Sequence, residues 1–553
     1  MNESALVLAS HLESSQPLLP DGNLRHFLGA LLDYARIEMW FASALALAAA
    51  SWLLDHLLPL KIRVGTAAGI PNGPSGLPVL GSILALRSYP ERTFDRWAKH
   101  FGPIFSVWLG SQLFVVVSDP GIAKGLMATH GAVFSDRKEM FIESQTVFRG
   151  RGIVASPYNR RWRKHRRIAS LWLDRKAVES YTHALEFEAI DMINHLFTDG
   201  ADGMADINPQ AYVNRCSLNN MLTITFGFRT DSIRHPMLAR VLRLSRNFST
   251  ITRPVSNLVG FVPIMQKLPS DTRRRARKLH SELLELYGGL IREMEKSMQA
   301  GAEVQDCLVQ TMLLRKTKED LDDLDITMLA SGFMLGGTEP TASIMQWCTA
   351  LIPAHPHVQK RAQEELDRVV GRDRLPTAED VNSLPYCRAV IKEVERCHNP
   401  LWLGTPHMAS QDFVYGEHRI PKGTVVVLNT WTMHHDPKRW KNPMDFDPDR
   451  YVHEQLHSSA SPQLPSRSER DHWIFGAGRR ICPGMLVAER EIWLTISRML
   501  WAFDMQQIPD KPIDLNEYDG ESGTRPRSFE VRLRPRFEGA RKVVEEEIER
   551  WNP

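Results

Sequence analysis

Apolar positions repeat at helical spacing over residues 91–100, 160–173, 184–197, 271–300, 324–352, 356–370, 384–396 and 484–503, and each stretch is predicted to form an α-helix. Shorter runs at 104–109, 113–118, 412–415 and 424–428 read as strands. Long helices beside a few short strands predict a mainly α protein with small β-sheets. One run differs in kind. Residues 39–54, MWFASALALAAASWLL, carry no charge, and the apolar character resumes at Leu57 and Leu58. About twenty helical residues span the roughly 30 Å of a hydrocarbon core. Trp40 and Trp52 stand near the ends, where aromatic rings favour the interface. Residues 39–60 are therefore read as a transmembrane anchor, with a buried Ala-rich helix as the alternative. Lys61 and Arg63 follow closely, which favours the cytoplasm for everything behind them and a lumenal place for the tail 1–38.

Residues 69–82, GIPNGPSGLPVLGS, hold three prolines and four glycines, a composition that opposes helix. The stretch 61–84 thus reads as a stiff hinge between membrane and body. Residues 85–553 keep one composition without repeats, which predicts a single large domain. Its polar segment 457–468, HSSASPQLPSRS, is expected to be a surface loop. Apolar residues make up 43% and charged residues 24% of the 553, as in ordinary globular chains. With 68 basic and 65 acidic residues the net charge is +3, too balanced for a nucleic-acid binder driven by phosphate contacts. The six cysteines are too few for a disulfide scaffold, and none forms a C-x-x-C pair.

One cysteine stands out. Residues 475–484 read FGAGRRICPG, three glycines around Cys482, with an apolar helix predicted to begin at Gly484. Backbone N–H groups at such a turn, and a helix N-terminus, stabilise a thiolate. Taken alone, Cys482 reads rather as a buried cysteine beside a glycine turn. The whole decapeptide, however, resembles the haem-binding loop of cytochrome P-450 enzymes, F-x-x-G-x-R-x-C-x-G, with Phe475, Gly478, Arg480, Cys482 and Gly484 all in place. The resemblance extends over about residues 70 to 536. It implies the cytochrome P-450 fold, a haem (iron protoporphyrin IX) with Cys482 as its axial thiolate, and a monooxygenase. Electrons would come from NADPH indirectly, through a flavoprotein reductase. It further implies an endoplasmic-reticulum membrane protein facing the cytoplasm, acting on a small apolar organic substrate, in a chain of fungal spelling that fits secondary metabolism.

Other motifs follow in order. Glu393 and Arg396 match E-x-x-R, and FDPDR at 446–450 resembles F-x-P-E-R with Asp449 for the usual Glu. By resemblance Glu393, Arg396 and Arg450 form a buried structural charge network. Trp162 and Arg166 match W-x-x-x-R, and four-residue spacing puts them on one helix face. By resemblance that face meets a haem propionate, with Arg480 and His407 as further donors. Arg163, Lys164 and Arg167 lie at about 100°, 200° and 140° from Trp162 and, with Arg160, form a basic stripe pointing away from the haem. That stripe reads as a docking face for an acidic reductase, or as a solvated helix face.

GGTEPT at 336–341 aligns with the family's A/G-G-x-D/E-T-T. Glu339 holds the acid position, but Pro340 replaces the usual threonine. Lacking an N–H, Pro340 leaves the Gly336 carbonyl without its partner four residues on, so a kink or bulge is expected. Thr338 or Thr341, with Glu339, would then carry protons, or water would substitute. The altered segment leaves room for an O2-independent isomerase or dehydratase, or for a haem-binding protein without turnover. Pocket-lining candidates are 141–154, 334–341, 401–403 and 519–524.

Overall fold

The computed structural model describes residues 69–86, 88–252, 258–461, 464, 472–518 and 525–551. The expected anchor, the tail before it and the pocket candidate 519–524 lie outside the described residues. No helix among the described residues is long and apolar enough to cross a membrane.

The main helices are α1 (Pro90–Phe101), α2 (Arg160–Ser170), α3 (Arg175–Asp199), α4 (Gln210–Phe226), α5 (Pro236–Thr252), α6 (Asp271–Gln299), α7 (Asp323–Ala354), α8 (Pro356–Val369), α9 (Pro385–Cys397), α10 (Met485–Ala502) and α11 (Ala540–Trp551). The strands are β1 (Ile104–Leu109), β2 (Gln112–Val117), β3 (Asp206–Ile207), β4 (His407–Met408), β5 (Phe413–Tyr415), β6 (His418–Ile420), β7 (Val425–Leu428), β8 (Phe503–Gln507) and β9 (Val531–Pro535). A four-stranded sheet runs β1-β2-β7-β4, with β2 and β7 parallel from Phe114↔Val425 to Val117↔Leu428. A second sheet runs β3-β9-β8, and β5-β6 is a hairpin. This is the mainly helical architecture with small sheets that the pattern predicts.

Helix α7 is the axis. It packs on α4, α6, α9 and α10, and from Asp325 onward its residues are buried on most sides. Its start is fixed by a capping box, in which Asp322 accepts from the Asp325 N–H at 2.6 Å. At 32 residues it is about 48 Å long, enough to cross the whole body. The helical run continues through Pro340, whose missing N–H still leaves the Gly336 carbonyl without its partner four residues on. Two glycines precede the proline in this stretch of α7. A Cβ on Gly336 would meet nothing within 4 Å, while one on Gly337 would strike Met221 Sδ at 2.4 Å. The second contact also shows why α4 can lie so close to α7.

Two loop readings need correction. Residues 69–82 are not a spacer but part of the body. Ser106 N–H donates to Asn72 O (3.0 Å), Ser82 N–H to Trp108 O (2.7 Å) and Gly110 N–H to Leu80 O (2.9 Å). The glycines serve this approach, since a Cβ on Gly73 would meet Ser106 O at 1.7 Å. In the segment 457–468, Ser458, Ser459 and Ser461 are buried rather than exposed. Ser458 Oγ donates to Glu395, and Ser459 N–H and Oγ donate to Glu489 (2.7 and 2.5 Å). A polar, turn-rich segment is drawn inward here because buried carboxylates require donors.

Candidate haem-thiolate site

The cysteine loop is built by glycines that the backbone demands. Gly476 and Gly478 have φ of +70° and +69°, and a Cβ on Gly478 would meet Met127 O at 2.0 Å. The turn closes with Cys482 N–H donating to Phe475 O at 2.9 Å, and Gly484 caps α10. Burial pushes the Cys482 thiol up, while the Gly484 N–H and the Arg166 guanidinium pull it down. Cys216, Cys348 and Cys387 are fully buried, with thiols pushed well above the ordinary value. Cys482 is only half-buried and alone sits in the glycine turn.

Around this loop the fold gathers cations. Helix α2, capped by Asn159 Oδ1 on Trp162 N–H (2.8 Å), brings in Trp162 and Arg166. Arg166 donates to Ile481 O at 2.7 Å. The Arg480 guanidinium lies over the Trp162 ring at 4.0 Å and donates to Ser135 O and Ser156 O, both at 2.8 Å. The indole N–H of Trp162 is directed at Ile153 O (2.9 Å), so this residue offers Arg480 a π face rather than offering a ligand its N–H. Arg137, missed in the sequence, joins them: it is 7% exposed and donates to Thr405 O. None of Arg137, Arg166 and Arg480 has a carboxylate within ion-pair distance among the described residues. The nearby Asp136 carboxylate accepts instead from Arg137 N–H and Tyr158 N–H. Burial, then mutual repulsion with Arg480, pushes Arg137 down to about 9. Burial, and Arg166 more weakly, push Arg480 down to about 10.

His407 is buried beside them, with Nδ1 bonded to Phe134 O at 2.7 Å. Burial and the two arginines hold it neutral. Its one proton is then on Nδ1 and Nε2 is an acceptor, so the expected donor role requires a second proton that only an incoming anion would favour.

Helix α7 presents Gly332, Gly336, Glu339 and Pro340 as one stripe. A Cβ on Gly332 or Gly336 would have open space around it, and Glu339 and Pro340 are half-buried. Glu339 Oε1 lies 3.5 Å from Arg525 Nη1, a partner the sequence did not suggest. Thr338 and Thr341 are buried elsewhere on the helix, about 200° and 140° around from Gly336. The Thr338 carbonyl accepts from Ser217 Oγ (2.9 Å), behind the stripe. The fold therefore brings Glu339 to the open stripe and leaves both threonines off it.

The expected charge network is present. Arg396 Nε and Nη2 each donate to Glu393 at 2.7 Å, and Arg450 Nε reaches Glu393 Oε1 at 3.2 Å. Glu393 and Arg396 are both fully buried.

Arginines without ion-paired acids among the described residues, next to a half-buried cysteine on a glycine turn, fit a flat anionic group bound through sulfur. Comparison with known proteins defines that group. The Cytochrome P450 family profile matches residues 71–533. The chain is 32% identical over 490 residues to cytochrome P450 monooxygenase fogE of Aspergillus ruber, covering 86% of this chain and 89% of the relative. It is 33% identical over 504 residues to cytochrome P450 monooxygenase verL of Clonostachys rogersoniana (89% and 86%). It is 30% identical over 502 residues to cytochrome P450 monooxygenase polD of Polytolypa hystricis (89% and 95%). The chain belongs to the cytochrome P450 family. It is accordingly a monooxygenase whose haem iron takes a cysteine thiolate and whose electrons come from a reductase.

Proposed function

We propose that Cys482 is the axial thiolate, that Arg137, Arg166 and Arg480 hold the haem carboxylates, and that the substrate is a small apolar molecule oxidised beside the Gly332–Pro340 stripe. The carrying observation is the convergence of the buried Arg137 and Arg480 and the half-buried Arg166, none of them ion-paired among the described residues, on the Cys482 loop. The haem, when bound, supplies the oxidant generated from O2 and two electrons, placing one oxygen atom in the substrate and releasing the other as water. The chain's own part is to hold sulfur anionic, neutralise carboxylates, exclude water and deliver protons. Glu339 is the proton-handling group we assign. Thr338 and Thr341 face other helices and serve packing.

The membrane anchor at 39–60, residence in the endoplasmic reticulum and a place in fungal secondary metabolism complete the reading. The electron donor is an NADPH-dependent flavoprotein reductase with an acidic surface, docking on the outward face of α2. Arg160, Arg163 and Arg167 are exposed there, and Lys164 is half-buried. Complementary charge of this kind mainly raises association rates and is screened by salt.

The test of the ligand assignment is the reduced, carbon-monoxide-bound spectrum. Wild type should show the red-shifted Soret band of thiolate-ligated haem and Cys482→Ala should lose it, while Cys397→Ala keeps it. A full band in Cys482→Ala would overturn the assignment.

A further inference from the structure

The outward face of α2 is partly occupied by the chain itself. Arg167 makes a two-pronged pair with Glu319, Nη1 to Oε1 at 2.9 Å and Nη2 to Oε2 at 2.6 Å. Lys164 Nζ donates to the carbonyl of Asp320 at 2.5 Å. Further in, Arg161 lies 3.8 Å and His165 3.3 Å from Asp325 Oδ1. Glu319 and Asp320 sit on the turn that leads into the capping box of α7. Within that turn Lys316 is bound to Asp323 at 2.6 Å, which leaves Glu319 to face α2.

The turn is held from both sides. Leu321, 6% exposed, anchors it in the core, and Asp320 adopts φ +50°, a left-handed conformation uncommon outside glycine. On its outer side the bonds to Arg167 and Lys164 hold it against α2. The Arg167 side chain is still 58% exposed while Glu319 is 9% exposed. A second carboxylate can therefore approach this guanidinium from solvent, whereas Glu319 has little room to leave except by moving the turn.

We propose that the 319–320 turn is an internal competitor for the electron donor: it presents to α2 the carboxylate and carbonyl that an acidic donor surface would present, and donor docking loosens it. The inference rests on the α2 docking reading above. Its mechanical consequence follows from connectivity. The same helix that carries Trp162 and Arg166 is tied through Arg167 and Lys164 to the turn that leads into the helix carrying Glu339, so occupying one face of α2 changes the restraint on the start of α7. The charges do not create affinity by themselves. They set how much of it is spent on displacing Glu319.

The experiment uses the full-length, haem-loaded protein and the soluble FMN domain of an NADPH-dependent P450 reductase. Binding is measured at low and high salt for wild type, Glu319→Gln, Arg163→Glu with Lys164→Glu, and Arg167→Gln with and without Glu319→Gln. An exposed ion pair of good geometry implies that Glu319→Gln tightens binding about twofold to fivefold at low salt and less at high salt. The gain should vanish when Arg167→Gln is already present. Hydrogen exchange of amides 316–326 in wild type should quicken when the FMN domain is added. Unchanged or weaker binding by Glu319→Gln, while Arg163→Glu with Lys164→Glu still weakens it, overturns the competitor and leaves the docking face standing. If Arg163→Glu with Lys164→Glu binds like wild type, the docking face itself is wrong and the competitor falls with it.

Discussion

Two buried arginine clusters in this protein look alike by composition and differ in completion. In the first, Arg396 spends its guanidinium on Glu393, on the carbonyls of His434 and Pro443 (both 2.8 Å) and on that of Asp445 (3.0 Å). Arg450 adds bonds to Lys441 and Asn442 carbonyls (2.6 and 3.0 Å). In the second, the guanidinium groups of Arg137, Arg166 and Arg480 donate to carbonyls, and Arg480 also lies over the Trp162 ring. The first cluster contains its own anion and has no further need. The second has no ion-paired acid among the described residues, only the longer-range attraction of Glu143 and Asp136, which is the condition of a site with room for an anion the chain does not encode.

The sharpest way to break this contrast is to remove the anion from the closed cluster. Glu393→Gln strands two buried guanidinium groups and should destabilise the protein by about 3–5 kcal/mol, read as lost soluble yield or a lowered urea midpoint. If Glu393→Gln unfolds like wild type, the network is not the structural element described here.

The open cluster should respond in the opposite sense. Arg137→Met removes a buried cation that has no ion-paired acid among the described residues, though Glu143 and Asp136 attract it from further off. Haem-free protein should therefore unfold within about 1 kcal/mol of wild type, or later than it. Haem retention should fall about tenfold or more, because a charge-assisted bond is worth roughly 1.5–3 kcal/mol. Competition by apomyoglobin reads the second quantity. Equal haem retention would remove Arg137 from the site.

A third buried charge has neither arrangement. Glu491 is 1% exposed, and burial pushes its carboxyl up to about 7 from an ordinary 4.5, against weaker pulls from Ser217 and Asn220. In a folded chain that holds this proton longer than the unfolded one, stability is full below about 4.5 and falls as pH rises through about 7. Glu491→Gln should abolish that loss and be the more stable protein above neutrality, by on the order of 2 kcal/mol. Urea midpoints of the two proteins at pH 5 and pH 8, each set on the order of those limits, test it. Parallel pH dependences would refute it.

The smallest effect belongs at the edge of the closed cluster. Asp449, the residue that departs from the family spelling, pairs with Arg361 at 2.5 Å, with side chains 58% and 48% exposed. Asp449→Ala should cost less than about 1 kcal/mol. A larger loss would mean that the network extends to the surface.

What the sequence revealed follows from how local each signal is. The Cys482 loop and the Glu393–Arg396 pair are spelled within a few residues, and β1 begins and ends where its pattern does. Helix α4 escaped notice because it is buried along almost all its length and rich in Asn, Ser and Thr, so it shows no amphipathic period. Arg137 and Arg525 are single cations in irregular segments, and only the fold brings them to Arg480 and Glu339. The placement of the threonines was legible in advance. Counting around the helix from Gly336 already separates Thr338 and Thr341 from the stripe that Gly332 and Glu339 share.

Pro340 has a further use. With no amide proton at that position, the Gly336 carbonyl cannot receive the bond that nearly every other carbonyl of α7 receives, and it lies on the stripe facing open space. An unbonded carbonyl stretches at higher frequency than a bonded one. An isotope-labelled carbonyl at Gly336 would thus give one resolved infrared line, set apart from the bulk helix absorption. That line would move whenever a water or another hydroxyl came into contact with it, so the substitution that removes the usual threonine also installs a vibrational probe on the open stripe of α7.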